Sequence, residues 1–220
     1  SIFGQVEGTA DENSEVFPLT AYSKANRKAE IDNLALNDEE FTVTALRFSS
    51  LFGVSPRMRF DMAVNEMVLE LYKTKKITVR GKTNQRPFLH LKDAVNAYKL
   101  VLNASKEKIA GQIFNVGADK QNYKIGDLAE EVAKSIDVNC TLELGDNKDH
   151  RSYFTSFKKI QDVLSFSPEF DVAYGAKEMF TALENHEISD SLETFTLKWY
   201  KHIMSDEHLT KKFSIDGKLL

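Results

Sequence analysis

The sequence predicts an α/β fold with parallel strand pairing. Two observations carry this: stretches of helical periodicity alternate with short runs of β-branched and aromatic residues, and the longer of those runs suit parallel pairing. Two shorter runs, residues 77–80 and 141–144, add a small accessory sheet. Composition agrees with a packed core. Charged residues make up 28 % of the 220 and hydrophobic residues 42 %, far from a disordered composition.

After a polar loop over residues 7–17, residues 23–36 read as a helix that starts near Tyr22 and holds Ala25, Ala29, Ala35 and Leu36. Residues 41–48, FTVTALRF, read as a buried strand that ends at a loop over 49–56. A helix over 60–72 carries Ala63, Met67 and Leu71, and the strand at 77–80 stops at Gly81. Residues 93–102 are helical, with Asp93 as N-cap, and residues 112–117 form a strand ending at Gly117. The clearest amphipathic helix places Ile125, Leu128, Ala129, Val132, Ala133 and Ile136 on one face. Ser156 caps a helix holding Phe157, Ile160, Val163 and Leu164, and Asp171 caps one holding Val172, Ala176, Met179, Phe180 and Leu183. A last helix covers 191–202.

The formal net charge of −4 and the scatter of Lys and Arg leave no electrostatic footprint for nucleic acid. The single cysteine, Cys140, excludes an internal disulfide framework and any Cys-rich zinc site, and the dispersed histidines show no metal-ligand spacing, so no metal is expected. No apolar run approaches the roughly 20 residues needed to span a bilayer, so no membrane partner is expected and a cytoplasmic protein is.

Several ordered stretches, each unspecific alone, carry a resemblance. They are SIFG at 1–4, PLTAY at 18–22 followed by Ala29 and Glu30, LRFSSLFG at 46–53, and RPFLHLKD at 86–93. Further on, IFNVG at 113–117 and DHRSY at 149–153 ahead of Lys159 and Ile160 continue the series. Together they resemble the extended short-chain dehydrogenase/reductase family, in particular its NAD-dependent nucleotide-sugar epimerases and dehydratases, over about residues 1–185. The resemblance implies a partial Rossmann-like parallel sheet with flanking helices plus a small C-terminal substrate-binding subdomain. It divides the chain into a dinucleotide-domain remnant over 1–55, a segment over 56–190 that is mainly nucleotide-sugar-binding, and a helical tail over 191–220.

It also implies NAD or NADP as cofactor, a nucleotide-sugar substrate and a homodimer. No G-x-G-x-x-G follows any strand. By resemblance the chain starts at the end of the fifth sheet strand, with the glycine turn and the catalytic Ser/Thr upstream. The expected protein is therefore a truncated epimerase or dehydratase, weakly active or inactive as it stands. A second reading is a non-catalytic sugar-nucleotide-binding or scaffold protein derived from that family.

The family's base is a tyrosinate, which Tyr22 matches. Tyrosine has an unperturbed pKa of about 10, so a nearby cation must favour its charged form near neutral pH. The usual arrangement is Tyr-x-x-x-Lys, but here position i+4 is Asn26, which offers a hydrogen bond to a ribose hydroxyl and no charge. Lys24 and Lys28 are rotated off the required face. Arg86 and Arg151 match arginines expected on the nucleotide diphosphate, because a planar guanidinium fork fits phosphate oxygens. Asn65 matches a position used against the sugar or the diphosphate. Arg57 and Arg59 are expected to face solvent, His90 to be a satisfied structural histidine between Leu89 and Leu91, and the Lys158-Lys159 pair to be a solvated surface.

Overall fold

The structure is a computed structural model that describes residues 2–146, 151–216 and 218–219. In chain order its elements are β1 (Gln5–Ala10), α1 (Ala21–Leu34), β2 (Thr44–Phe48), β3 (Ser50–Phe52), α2 (Ala63–Thr74), β4 (Lys76–Arg80), β5 (Gln85–His90), α3 (Leu91–Asn103), α4 (Lys106–Ile109) and β6 (Gln112–Val116). These are followed by β7 (Asn122–Lys124), α5 (Ile125–Ser135), β8 (Thr141–Gly145), β9 (Ser152–Thr155), α6 (Lys158–Leu164), α7 (Val172–Glu184), α8 (Thr196–Ser205), α9 (Glu207–Lys212), β10 (Ser214–Ile215) and β11 (Lys218–Leu219).

Parallel pairing dominates. β2 pairs with β6 from Thr44↔Gln112 to Phe48↔Val116, β3 with β5, β1 with β9, and β4 with β8. β5 also pairs antiparallel with β7, and β10 with β11. The β4–β8 ladder is the accessory sheet that residues 77–80 and 141–144 predict. Helices flank these ladders, which makes the fold α/β.

A smaller apolar cluster of Ile2, Phe3, Ala10 and Tyr153 packs β1 on β9, and two larger ones hold the layers together. One lies among α2, α5 and α7 over β3, β4 and β5, and includes Phe52, Phe60, Leu71, Ile77, Leu128 and Met179. The other packs α3 and α6 on the β2–β6 ladder through Leu89, Ala97, Phe114 and Ile160. In α5 the residues Ile125, Leu128, Ala129 and Val132 are buried, so the amphipathic face read from the sequence is the face that packs.

Several boundaries differ from the expectation, each for a local reason. The strand expected over 41–48 starts at Thr44, because the Asp38 carboxylate accepts hydrogen bonds from the Glu40 and Phe41 amides and holds a turn there. The expected loop at 7–17 begins with the last four residues of β1, whose Gly8 at φ 83° goes with a register shift against β9. The loop expected at 49–56 contains β3. Helix α2 begins at Ala63 because Phe60, fully buried, donates its amide to the Thr194 carbonyl at 2.9 Å. Phe157, not Ser156, occupies the N-cap of α6. Lys159 is no solvated surface group, since its Nζ donates to the Ile113 carbonyl at 2.8 Å and sits over the Phe114 ring. The last helix starts at Thr196 rather than near 191, and α9 follows it.

The cap of α3 also moves. His90, not Asp93, is the N-cap, and its Nδ1 accepts the Lys92 amide at 3.2 Å. That fixes the tautomer, so Nε2 carries the proton and donates to Glu178 of α7 at 3.0 Å. Glu178 further accepts from Lys92 Nζ at 2.5 Å and from the Val54 amide at 3.4 Å, and Lys92 also donates to the Tyr174 hydroxyl at 2.8 Å. Asp93, in the first turn, accepts the Glu169 and Phe170 amides, each at 3.0 Å. The start of α3 thereby grips the approach to α7 from two sides, and His90 is the satisfied structural histidine expected.

Burial holds the His90 pKa below its ordinary 6.5, outweighing the raising effect of Glu178. Burial pushes Glu178 up, but its bonds to Lys92 and His90 bring it below 4.5. Both groups bind fewer protons folded than unfolded, so both make stability rise with pH. Their contribution is complete above pH 6.5, begins to fall as His90 charges in the unfolded chain, and falls further as pH drops below 4.5 through the depressed Glu178 value. Thermal melts from pH 8 to pH 4 are expected to show this two-stage loss, and a His90→Gln variant is expected to lose the upper stage.

Candidate functional site

Helix α1 carries the first candidates. Thr20 and Ser23 form a capping box: the Ser23 amide donates to Thr20 Oγ1 at 3.1 Å and the Thr20 amide to Ser23 Oγ at 3.0 Å. The box starts the helix so that Tyr22 falls in its first turn and Asn26 one turn later. Both line a groove of about 650 Å³ between α1 and β2, together with Ile2, Glu30, Leu46 and Arg47. Tyr22 is 68 % exposed on its rim. Neither Lys24 nor Lys28 lines the groove, and Lys28 pairs with Asp32 at 2.7 Å on the outer face. The i+4 position is thus filled by a neutral amide, and among the described residues no lysine lines the groove.

From β2, Arg47 reaches back to α1. Its Nε donates to Glu30 Oε2 at 2.7 Å and a terminal nitrogen donates to Oε1 at 2.9 Å, a bidentate fork with both side chains under one-tenth exposed. Arg27 also binds Glu30. Burial raises the Glu30 pKa, and the hydrogen bonds and charges of Arg47 and Arg27 bring it below the ordinary carboxylate value. Arg47 also donates to the Glu12 carbonyl at 3.3 Å and lies over the Phe3 ring.

Phe3 in turn packs on Tyr153, with ring centroids 5.7 Å apart, and the Arg86 guanidinium lies 5.1 Å from the Tyr153 centroid. Arg86 is 7 % exposed and donates to the Gln85 carbonyl at 2.7 Å, while the Gln85 amide donates to Ser152 Oγ at 3.1 Å. The starts of β5 and β9 thus lie side by side, and Arg151 is the residue that precedes β9. Asp149 and His150 of the DHRSY stretch lie outside the described residues, as does Ser1. Glu30, which lines the groove with Tyr22 and Asn26, stands at one end of this chain of contacts and Arg86 at the other.

Asn65 is committed to backbone. Its Oδ1 accepts the Gly53 amide at 3.3 Å and its Nδ2 donates to the Arg59 carbonyl at 3.0 Å, tying the loop after β3 to α2. Arg59 pairs with Asp61 at 3.0 Å near solvent. Among the described residues there is no group of His, Cys, Asp and Glu able to hold a metal ion, and no helix long and apolar enough to cross a membrane.

Sequence reasoning left Arg47 and Glu30 without roles. The available signal was an arginine inside an otherwise apolar strand, which needs a partner, and a glutamate two turns along from Tyr22.

Residues 1–117 match the model of the NAD dependent epimerase/dehydratase family. An uncharacterized UDP-glucose epimerase of Bacillus subtilis (strain 168), YtcB, is 26 % identical over 137 residues, covering 60 % of this chain and 42 % of that protein. Among solved structures, MoeE5 in complex with UDP-glucuronic acid and NAD superposes with a TM-score of 0.74 at 22 % identity, covering 84 % of this chain and 62 % of that one. UDP-glucuronic acid 4-epimerase from Bacillus cereus, also with UDP-glucuronic acid and NAD, gives a TM-score of 0.74 at 21 % identity, with 84 % and 59 % covered. The chain therefore spans less than two thirds of the length of each of these proteins.

Proposed function

We propose, from the fact that this chain belongs to the NAD dependent epimerase/dehydratase family, that it supplies the sugar-nucleotide platform and the tyrosine of a nucleotide-sugar epimerase or dehydratase. The observation that carries the reading is the Arg86 guanidinium, buried and stacked on Tyr153. A stacked guanidinium is pre-oriented, and a planar fork held in place suits the oxygens of a diphosphate. In this reading Arg86 and Arg151 hold the diphosphate. Asn65 also serves the sugar or the diphosphate in this reading, reaching the ligand by exchanging one of its backbone bonds.

Tyr22 takes a proton from a sugar hydroxyl at the rim of the groove, and Asn26 binds a ribose hydroxyl of the nicotinamide nucleotide. NAD or NADP, when bound, supplies the hydride acceptor. The residues present fit that group in part: Tyr22 and Asn26 place polar groups on the groove, whereas the sequence contains no glycine fingerprint for the pyrophosphate. Asn26 adds no charge beside Tyr22, so proton removal by this chain is expected to be slow.

The division into residues 1–55, 56–190 and 191–220 belongs to this reading, supported by the cluster around α2, α5 and α7, whose buried members other than Phe52 run from Met58 to Leu183. A homodimer through α1 also belongs to it, supported by the exposure of that helix, whose only buried residue is Ser23. The protein is placed in the cytoplasm on the same reading.

Titration calorimetry with UDP-glucose and UDP-glucuronic acid tests the platform. The wild-type chain is expected to bind, and Arg86→Ala to weaken binding at least tenfold, about 1.4 kcal/mol or more. Arg86→Lys, which keeps the charge without the fork, is expected to fall between. Equal affinity of wild type and Arg86→Ala would remove the assignment.

A further inference from the structure

Helix α1 is attached to the molecule with almost no apolar anchor: Ser23 is its only buried residue, while Tyr22 and Ile31 are exposed. A surface helix ordinarily takes its roll about its own axis from the apolar stripe it buries. α1 has no such stripe, so a polar contact has to choose which side meets β2.

The contact present is the Glu30–Arg47 fork, with side chains 8 % and 9 % exposed. Its β2 end is rigid, because Arg47 is also held by the Glu12 carbonyl and the Phe3 ring. Its α1 end shares a face with the candidate residues: Asn26 precedes Glu30 by one turn and Tyr22 by two, an arc of about 80° at 3.6 residues per turn. The α1 residues lining the groove, Tyr22, Asn26, Ala29, Glu30 and Asn33, trace that same face.

We propose that Glu30 and Arg47 are positioning residues whose buried ion pair sets the roll of α1, and so turns Tyr22 and Asn26 into the groove against β2. The functional weight of this role rests on the assignment of Tyr22 and Asn26 made above; the geometric role does not. An interaction that only glued α1 down would leave its roll unchanged when weakened.

Residual dipolar couplings of the α1 amides distinguish the two, because their periodic modulation along the helix reports its roll relative to the rest of the molecule. In Glu30→Ala the phase of that modulation is expected to shift against α3 and α7, with helix content by circular dichroism retained. Glu30→Gln, which keeps one acceptor and loses the charge, is expected to shift it less in the same direction, and it serves if the alanine variant does not fold. An unchanged phase in a folded variant, with only a lower melting temperature, overturns the proposal. Titration of the shifted variant with NAD separates the two claims: a shifted roll with unchanged NAD affinity leaves the positioning role standing and sinks the assignment of Tyr22 and Asn26.

Discussion

Asp93→Ala is expected to cost about 3 kcal/mol of folding stability, since it removes two hydrogen bonds to a charged group, each typically worth about 1.5–3 kcal/mol. Asp93 is 1 % exposed, and its two oxygens separately accept the Glu169 and Phe170 amides. Removing the carboxylate leaves both donors to find water at a partly buried site. Alanine is the better helix former, but that gain is at most about 0.7 kcal/mol and does not reverse the sign. Asp93→Asn retains one acceptor and is expected to lose roughly half as much. Urea denaturation checks this through the midpoint, with the slope unchanged. A loss under about 1 kcal/mol for the alanine variant would show that the grip of α3 on the approach to α7 is dispensable.

The second large effect runs against helix propensity. Gly175 lies inside α7, where replacing glycine by alanine ordinarily stabilises by about 0.8–1 kcal/mol. Here a Cβ would stand 2.5 Å from Cε2 of Phe52 and 3.0 Å from Cδ2 of His90. Phe52 and His90 are both fully buried and pack edge to face, and His90 is pinned by Lys92 and Glu178, so neither ring has room to yield. Overpacking of this kind costs about 1–3 kcal/mol, so Gly175→Ala is expected to destabilise. The disturbance passes through His90, so the pH dependence of stability should weaken as well. A variant that melts higher than wild type would show that α7 has slack at this crossing.

What the sequence made legible follows from the range of the interactions involved. α5 was readable because its burial repeats at helical spacing, and α7 because Asp171 accepts the Tyr174 amide three residues on, a local cap. β1 was not, because a glycine, a register shift and polar residues disguise a strand that only its partner β9 defines. β3 is three residues long, too short for a period to show. α3 was found but miscapped, since whether His90 or Asp93 serves the helix depends on which one residues 169–170 claim.

The site divides in the same way. Tyr22 and Arg86 were named through the resemblance, and Asn26 through its i+4 spacing from Tyr22. That Arg86 is buried on Tyr153, or that Arg47 reaches Glu30 across seventeen positions, depends on strand neighbours that no local pattern encodes. Asn65 adds a contact that the sequence does not show: its amide also engages the Gly53 and Arg59 backbone.

The central claim is that this chain is a sugar-nucleotide platform built on β5 and the start of β9. Amide chemical-shift mapping of the ¹⁵N-labelled chain during addition of UDP-glucuronic acid tests it most directly. The account predicts saturable shifts concentrated at residues 84–86 and 151–153, extending to the groove at Tyr22 and Asn26. Shifts confined to other surfaces, or none at saturating ligand, would contradict it.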